Sequence, residues 1–176
     1  MNYKGLSFLV IAIVGFAFTV PEKVAKKADK VIGKFYDTEL FYKEMVVVSE
    51  ANNAGTLSEF GEENLFKIMR AEEFLGYGYI GNAPSKTASF DYLVLFEENF
   101  VITKSKVLIY REEYGGEIGS KRWLRQFIGK TSTSPELEYN VDIIPISGAT
   151  ISVRSMTRAM NELLQSIGKL QELNAL

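Results

Sequence analysis

From Leu6 to Phe18 the chain carries a nearly unbroken apolar run, Leu-Ser-Phe-Leu-Val-Ile-Ala-Ile-Val-Gly-Phe-Ala-Phe, behind a positive charge at Lys4. A spanning helix needs about 20 apolar residues. The run is shorter than that and fits the apolar region of a signal peptide better. Gly15 and Ala17 are small residues compatible with cleavage after Ala17. Left uncleaved, residues 5–20 would serve as a short membrane anchor; a buried strand or core helix is the plain structural alternative. Signal and anchor readings both place the rest outside the cytoplasm, in the periplasm or at the outer face of the cytoplasmic membrane, by the positive-inside tendency.

After Pro21 the apolar positions recur at helical spacing. Val24, Ala28, Val31, Ile32 and Phe35 share one face and predict a helix over residues 22–36. Lys23, Lys26, Lys27, Lys30 and Lys34 crowd the other sides. That basic surface suits an anionic membrane or simple solvation. Strand-like runs follow at 45–48, 65–69, 74–80, 92–96 and 101–110, with loops at 52–55 and 82–89. Glu97-Glu98-Asn99 turns the last two runs into an antiparallel hairpin. Thr103, Ser105 and Val107 fall on one face of its second strand, with Lys104 and Lys106 opposite. A short helix over 120–128 would bury Trp123, Leu124 and Phe127 and stop at Gly129; a polar loop fills 131–139. A final helix is expected from Ser152 or Val153, with Met156, Met160, Leu163, Leu164, Ile167 and Leu170 as its apolar stripe. These elements make an α+β fold, a largely antiparallel sheet with helices packed at its ends and on one face. The chain divides into residues 1–20, a helix and strand region at 21–59, and a main domain at 60–176.

Composition narrows the chemistry. The 176 residues carry 20 basic and 22 acidic side chains, a net charge of -2, so no global basic excess exists to bind a nucleic acid backbone. There is no cysteine and no histidine. Disulfides, Cys-rich metal centres, thiol nucleophiles and the usual base of a serine hydrolase triad are therefore absent. Redox chemistry remains open to such a chain if a cofactor brings it.

One segment concentrates the remaining chemistry: Asp142-Ile-Ile-Pro-Ile-Ser147-Gly148-Ala149-Thr150-Ile151-Ser152. An apolar strand meets four small residues, then an amphipathic helix begins. Gly148 and Ala149 put little bulk beside the Thr150 hydroxyl. Free N–H groups at a helix start favour an anion, phosphate above all, and Ser147 and Ser152 add hydroxyls. An ordinary turn with a helix cap is the competing reading of these residues.

Ser147-Gly148-Ala149-Thr150 resembles the flavinylation motif of the FMN-binding domain family. That family includes periplasmic flavin subunits of sodium-pumping NADH:quinone oxidoreductase and Rnf complexes. The likeness extends over roughly residues 60–165. It takes in the Gly-rich aromatic strand near Gly76 to Gly81, the hairpin, a helix ending in Gly129-Lys130, and the motif with its helix. Residues 110–119 occupy the place of the family's Gly-containing loop but lack its Pro, and Asp142 stands farther from Ser147 than the family's Asp does.

The resemblance implies FMN as cofactor, joined to Thr150 through a phosphoester that a flavin transferase makes from FAD; non-covalent binding is the alternative. It makes Ser147, Gly148, Ala149 and Ser152 the phosphate seat. Gly115, Gly116, Glu117 and Ile118 would approach the ring with backbone groups. Tyr77, Tyr79 and Trp123 are candidates to stack on it or to fill the core, and Lys121, Arg122 and Arg125 to meet the phosphate, a partner or solvent. Glu72-Glu73 and Glu112-Glu113 read as surface charge. The implied role is an electron carrier rather than an enzyme in its own right, receiving electrons from a membrane oxidoreductase and passing them to another carrier, quinone or exported reductase. A flavin-dependent reductase acting on a small substrate and a flavin-free envelope binding module are the rivals.

Overall fold

The computed structural model describes residues 19–176; the apolar segment expected over residues 1–20 lies almost wholly outside them. Among the described residues, five strands form one antiparallel sheet in the order β1 to β5: β1 Tyr42–Met45, β2 Leu65–Arg70, β3 Glu73–Pro84, β4 Ser89–Phe96 and β5 Ile102–Ile109. Helix α1 (Glu22–Tyr36) covers one face, and α4 (Thr150–Glu172) the other. The architecture is thus α+β around an antiparallel sheet, as expected, but helices cover both faces of the sheet rather than one.

β4 shows why the sheet needs two covering layers. Every residue from Phe90 to Phe96 is buried. Successive side chains on a strand point to opposite faces. Phe90, Tyr92, Val94 and Phe96 join the cluster that contains Met156, Met160, Leu163 and Ile167 of α4. Leu93 and Leu95 join Val24, Ala28 and Ile32 of α1. The same division explains the glycine-aromatic alternation of β3. Tyr77 and Tyr79 pack on the α4 side, and a Cβ on Gly78 would collide with the Phe66 ring, which fills the α1 side.

Several boundaries differ from the sequence reading. β1 is Tyr42–Met45 and not 45–48. As an edge strand with largely exposed side chains it has no need of the β-branched run; Val46 adds one bond to the Leu65 carbonyl, and Val46 and Val48 pack against the core beyond the strand. The loop expected at 52–55 begins inside a one-turn helix, α2 (Glu50–Asn53), whose Ser49 hydroxyl accepts from the Asn52 N–H at 3.3 Å. β3 continues past residue 80 to Pro84, opposite Ser89. There proline closes the ladder, a position it tolerates. The helix expected over 120–128 is helical only in α3 (Lys121–Leu124), between 3-10 turns at Gly116–Gly119 and Arg125–Phe127. Finally, α4 starts at Thr150 rather than 152 or 153.

Among the described residues no helix is long and apolar enough to cross a membrane. The fully buried Leu163 lies in the middle of the α4 stripe. Replacing it by alanine should cost about 2–5 kcal/mol, lost transfer energy plus a cavity, whereas Leu40→Ala at an 83% exposed position should change stability by less than about 0.5 kcal/mol. Urea unfolding of both variants with a common m-value checks the contrast.

Candidate functional site

Beyond the end of β5 the chain turns away from the sheet, and residues 110–117 come to lie against the start of α4. Between them is a cleft of about 650 Å³, within the roughly 300–1,000 Å³ of small-molecule sites. Ser147, Gly148, Ala149, Thr150 and Ser152 line one side; Tyr110, Glu112, Tyr114, Gly115 and Glu117 line the other, with Lys86 at the rim.

Two glycines permit this approach. Gly115 has φ +77°, and any Cβ there would run into the Ala149 side chain. The two loops therefore touch only because one residue has no side chain. Gly148 has φ +76°, the left-handed turn that swings the chain from Ser147 into the helix. The Ala149 N–H donates to the Ile146 carbonyl at 3.1 Å, and the Val153 N–H to the Ala149 carbonyl at 2.9 Å, which begins α4.

The segment entering the motif is clamped from behind. Trp123 Nε1 donates to the Ile144 carbonyl at 2.8 Å, and the Ile144 N–H donates to Gln126 Oε1 at 2.7 Å. Ile143 is fully buried. Asp142 turns the other way: its carboxylate accepts from the Glu138 N–H at 2.9 Å and closes the preceding turn.

At the cleft itself, Ala149 caps α4 without any side-chain acceptor, and the first turn holds no acid. The N–H groups of Thr150, Ile151 and Ser152 have no intrahelical acceptor, as first-turn amides never do. Together with the axial dipole of a 23-residue helix they form an electropositive patch. Thr150 is exposed, and its hydroxyl has no hydrogen-bond partner among the described residues. Ser152, in contrast, is buried and shares a 3.0 Å hydrogen bond with the Tyr110 hydroxyl, joining helix to opposite wall.

Of the residues singled out in the sequence, Ser147, Gly148, Ala149, Thr150, Ser152, Gly115 and Glu117 are brought together at the cleft. Gly116 is exposed in the 3-10 turn and does not line it, and the Ile118 side chain is fully buried in the core. The stacking candidates are elsewhere: Tyr77 stacks on Phe100 at 4.2 Å, Tyr79 is in the core, and Trp123 packs edge-on to Phe127. Lys121, Arg122 and Arg125 do not face the cleft. The residues that sequence reasoning missed are Lys86, Tyr110, Tyr114 and Glu112. Glu112 binds the turn before β4, accepting from the Thr87 N–H at 2.7 Å, the Thr87 hydroxyl at 2.8 Å and the Ala88 N–H at 3.2 Å. Its partners are 24 and 25 residues away, so no local pattern could reveal them. The Ser85 hydroxyl beside it and the Thr87 and Ala88 donors hold the carboxyl down to about 2.

Comparison with known proteins bears on the fold and the cofactor. Residues 89–165, which run from β4 through the motif and most of α4, match the family described as FMN-binding domain. The crystal structure of Shewanella oneidensis NqrC has the same fold, with a TM-score of 0.57 and 16% identity over 86% of this chain and all of that one. No curated protein sequence matches the chain. The resemblance noted in the sequence therefore holds, and FMN is the indicated cofactor. The cleft fits it. A helix start with unclaimed N–H groups and a neighbouring lysine suits a phosphate, and the exposed aromatic face of Tyr114 offers an apolar wall.

The Glu112 clasp has a testable pH signature. Its carboxyl is held lower in the folded protein than in the unfolded chain, so its contribution is complete above the unfolded value. It is lost as pH falls from about 4.5 towards about 2. The difference in urea midpoint between wild type and Glu112→Gln should be constant above pH 5 and shrink towards zero below it; a difference independent of pH would refute the assignment.

Proposed function

We propose that this chain is an FMN-binding electron-transfer protein of the cell envelope, with the flavin joined to Thr150 by a phosphoester. The observation that carries the reading is the position of the Thr150 hydroxyl: exposed, without a hydrogen-bond partner among the described residues, and at the first residue of α4 inside the cleft. The family match over residues 89–165 supports FMN as the occupant. The apolar run at residues 6–18 supports an envelope location.

Attachment balances as a transfer from FAD under a flavin transferase. The Thr150 oxygen forms a bond to the flavin-side phosphorus, the pyrophosphate bond breaks, and AMP leaves with the hydroxyl proton. Gly148 and Ala149 leave the oxygen open to that approach. The N–H groups of residues 150–152 would hold the phosphate oxygens, and Lys86 would offset their charge. The Ser152–Tyr110 bond keeps the two walls at a fixed spacing. The bound flavin supplies one- and two-electron chemistry by itself, so the protein need not donate a proton, in keeping with a chain that lacks His and Cys. Electrons would come from a membrane oxidoreductase and leave to a second carrier or an exported reductase.

The test is intact mass with an absorbance spectrum, for wild type and Thr150→Ala, each expressed with its export segment beside a flavin transferase. A mass gain equal to FMN less one water, with yellow colour, both absent in the variant, is the expected result. Colour without added mass would replace the phosphoester by non-covalent binding. A colourless wild type, even after refolding with FMN, would sink the flavin reading.

A further inference from the structure

On the far side of the Gly116–Gly119 turn from the cleft lies a second groove of about 760 Å³. Its floor is β5 at residues 103–106; its walls are the end of α1 and the α3 segment. Six cations line it: Lys30, Lys34, Lys104, Lys106, Lys121 and Arg125. No acid does, and none of the six forms an ion pair among the described residues, although the chain as a whole is slightly acidic. Between the cations sit apolar side chains, among them Phe35 at 38% and Ile128 at 46% exposure. Lys104 lies over the Phe35 ring, 5.3 Å from its centre. Burial, with Lys121, Lys106 and Lys34 close by, lowers the Lys104 ammonium below its usual range, a sign that these charges repel one another.

Uncompensated cations interspersed with the exposed apolar Phe35 and Ile128 of the walls define an occupant that brings both carboxylates and an apolar side chain. A planar lipid surface would meet the rims and leave the recessed floor uncovered, whereas a protruding protein segment fills it. The groove is also close to the flavin cleft. Lys106 Nζ donates to the Gly119 carbonyl at 3.2 Å, and the turn that ends at Gly119 begins beside Gly115, a cleft residue. We propose that this groove docks an acidic, apolar-tipped segment of a protein redox partner. The partner's redox role rests on the electron-transfer reading above; the docking itself does not.

The probe is a fluorescently labelled synthetic peptide of alternating Glu-Glu and Leu-Leu pairs, titrated onto the full chain after its flavin content has been measured. Binding should weaken with salt, as exposed charge pairs do. It should fall about tenfold or more in Lys121→Glu/Arg125→Glu and by less in the corresponding double glutamine variant, since complementary charge sets encounter and register. Both variants should keep the wild-type unfolding midpoint and flavin content. Peptide binding that is absent, indifferent to salt or equal in the reversed variant would overturn the proposal. So would displacement of the peptide by phosphatidylglycerol vesicles, which would make the groove a lipid contact. Absence of flavin from every protein, with peptide binding intact, would instead remove the flavin reading and leave the groove standing.

Discussion

Helix α4 is held along its whole length, and this constraint determines where the Ser-Gly-Ala-Thr segment can be. Its apolar stripe runs from Val153 to Leu170 against the sheet. Polar ties fix its rotation. The buried Asn161 amide clasps Leu137, accepting from its N–H at 3.0 Å and donating to its carbonyl at 2.9 Å. Ser166 Oγ accepts from the N–H groups of Leu57 and Ser58 at 3.0 and 2.8 Å. A helix turned or slid out of register would strand these groups, at about 1–3 kcal/mol each. The first turn is therefore placed by contacts made several turns away. The open position of Thr150 is a consequence of core packing rather than of its immediate neighbours.

From that placement the rest of the cleft follows. The opposite wall comes close enough only because Gly115 meets Ala149 without a Cβ, and the Tyr110–Ser152 bond then ties the two sides. Two carboxylates on this wall would oppose an anion at the helix start. One of them, Glu112, is committed to the donors of Thr87 and Ala88. Its charge is spent on the turn before β4, and Lys86 in that same turn reaches the rim. These hydrogen bonds hold the Glu112 carboxylate to that turn, and Lys86 brings a positive charge to the same cleft.

What the sequence revealed, and what it hid, follows from the range of the interactions. Helical spacing in α1 and α4 and the run of apolar residues in β4 were readable because each element's own periodicity encodes its burial. The motif was readable because small residues before an amphipathic helix make a local pattern. β1 is hard to read because an edge strand carries little apolar signal, while the β-branched residues just after it imitate a strand. The early start of α4 was hidden because Ala149 caps it with no Ser, Thr, Asp or Asn side chain. Glu112, Lys86 and Tyr110 could not be assigned from the chain at all. Their relation to Thr150 exists only after the hairpin and the helix have packed on the same sheet face.

The two sites share one structural element. The Gly116–Gly119 turn follows directly on the cleft wall at Gly115, and its last carbonyl receives Lys106 from the groove floor. Ile118 anchors it, fully buried, so the turn cannot be displaced towards either side without opening the core. The Ile118 side chain is thus a fixed support for the turn whose backbone the resemblance places near the ring. The cofactor cleft and the cationic groove, divided by so short and so firmly held a segment, keep a constant spacing.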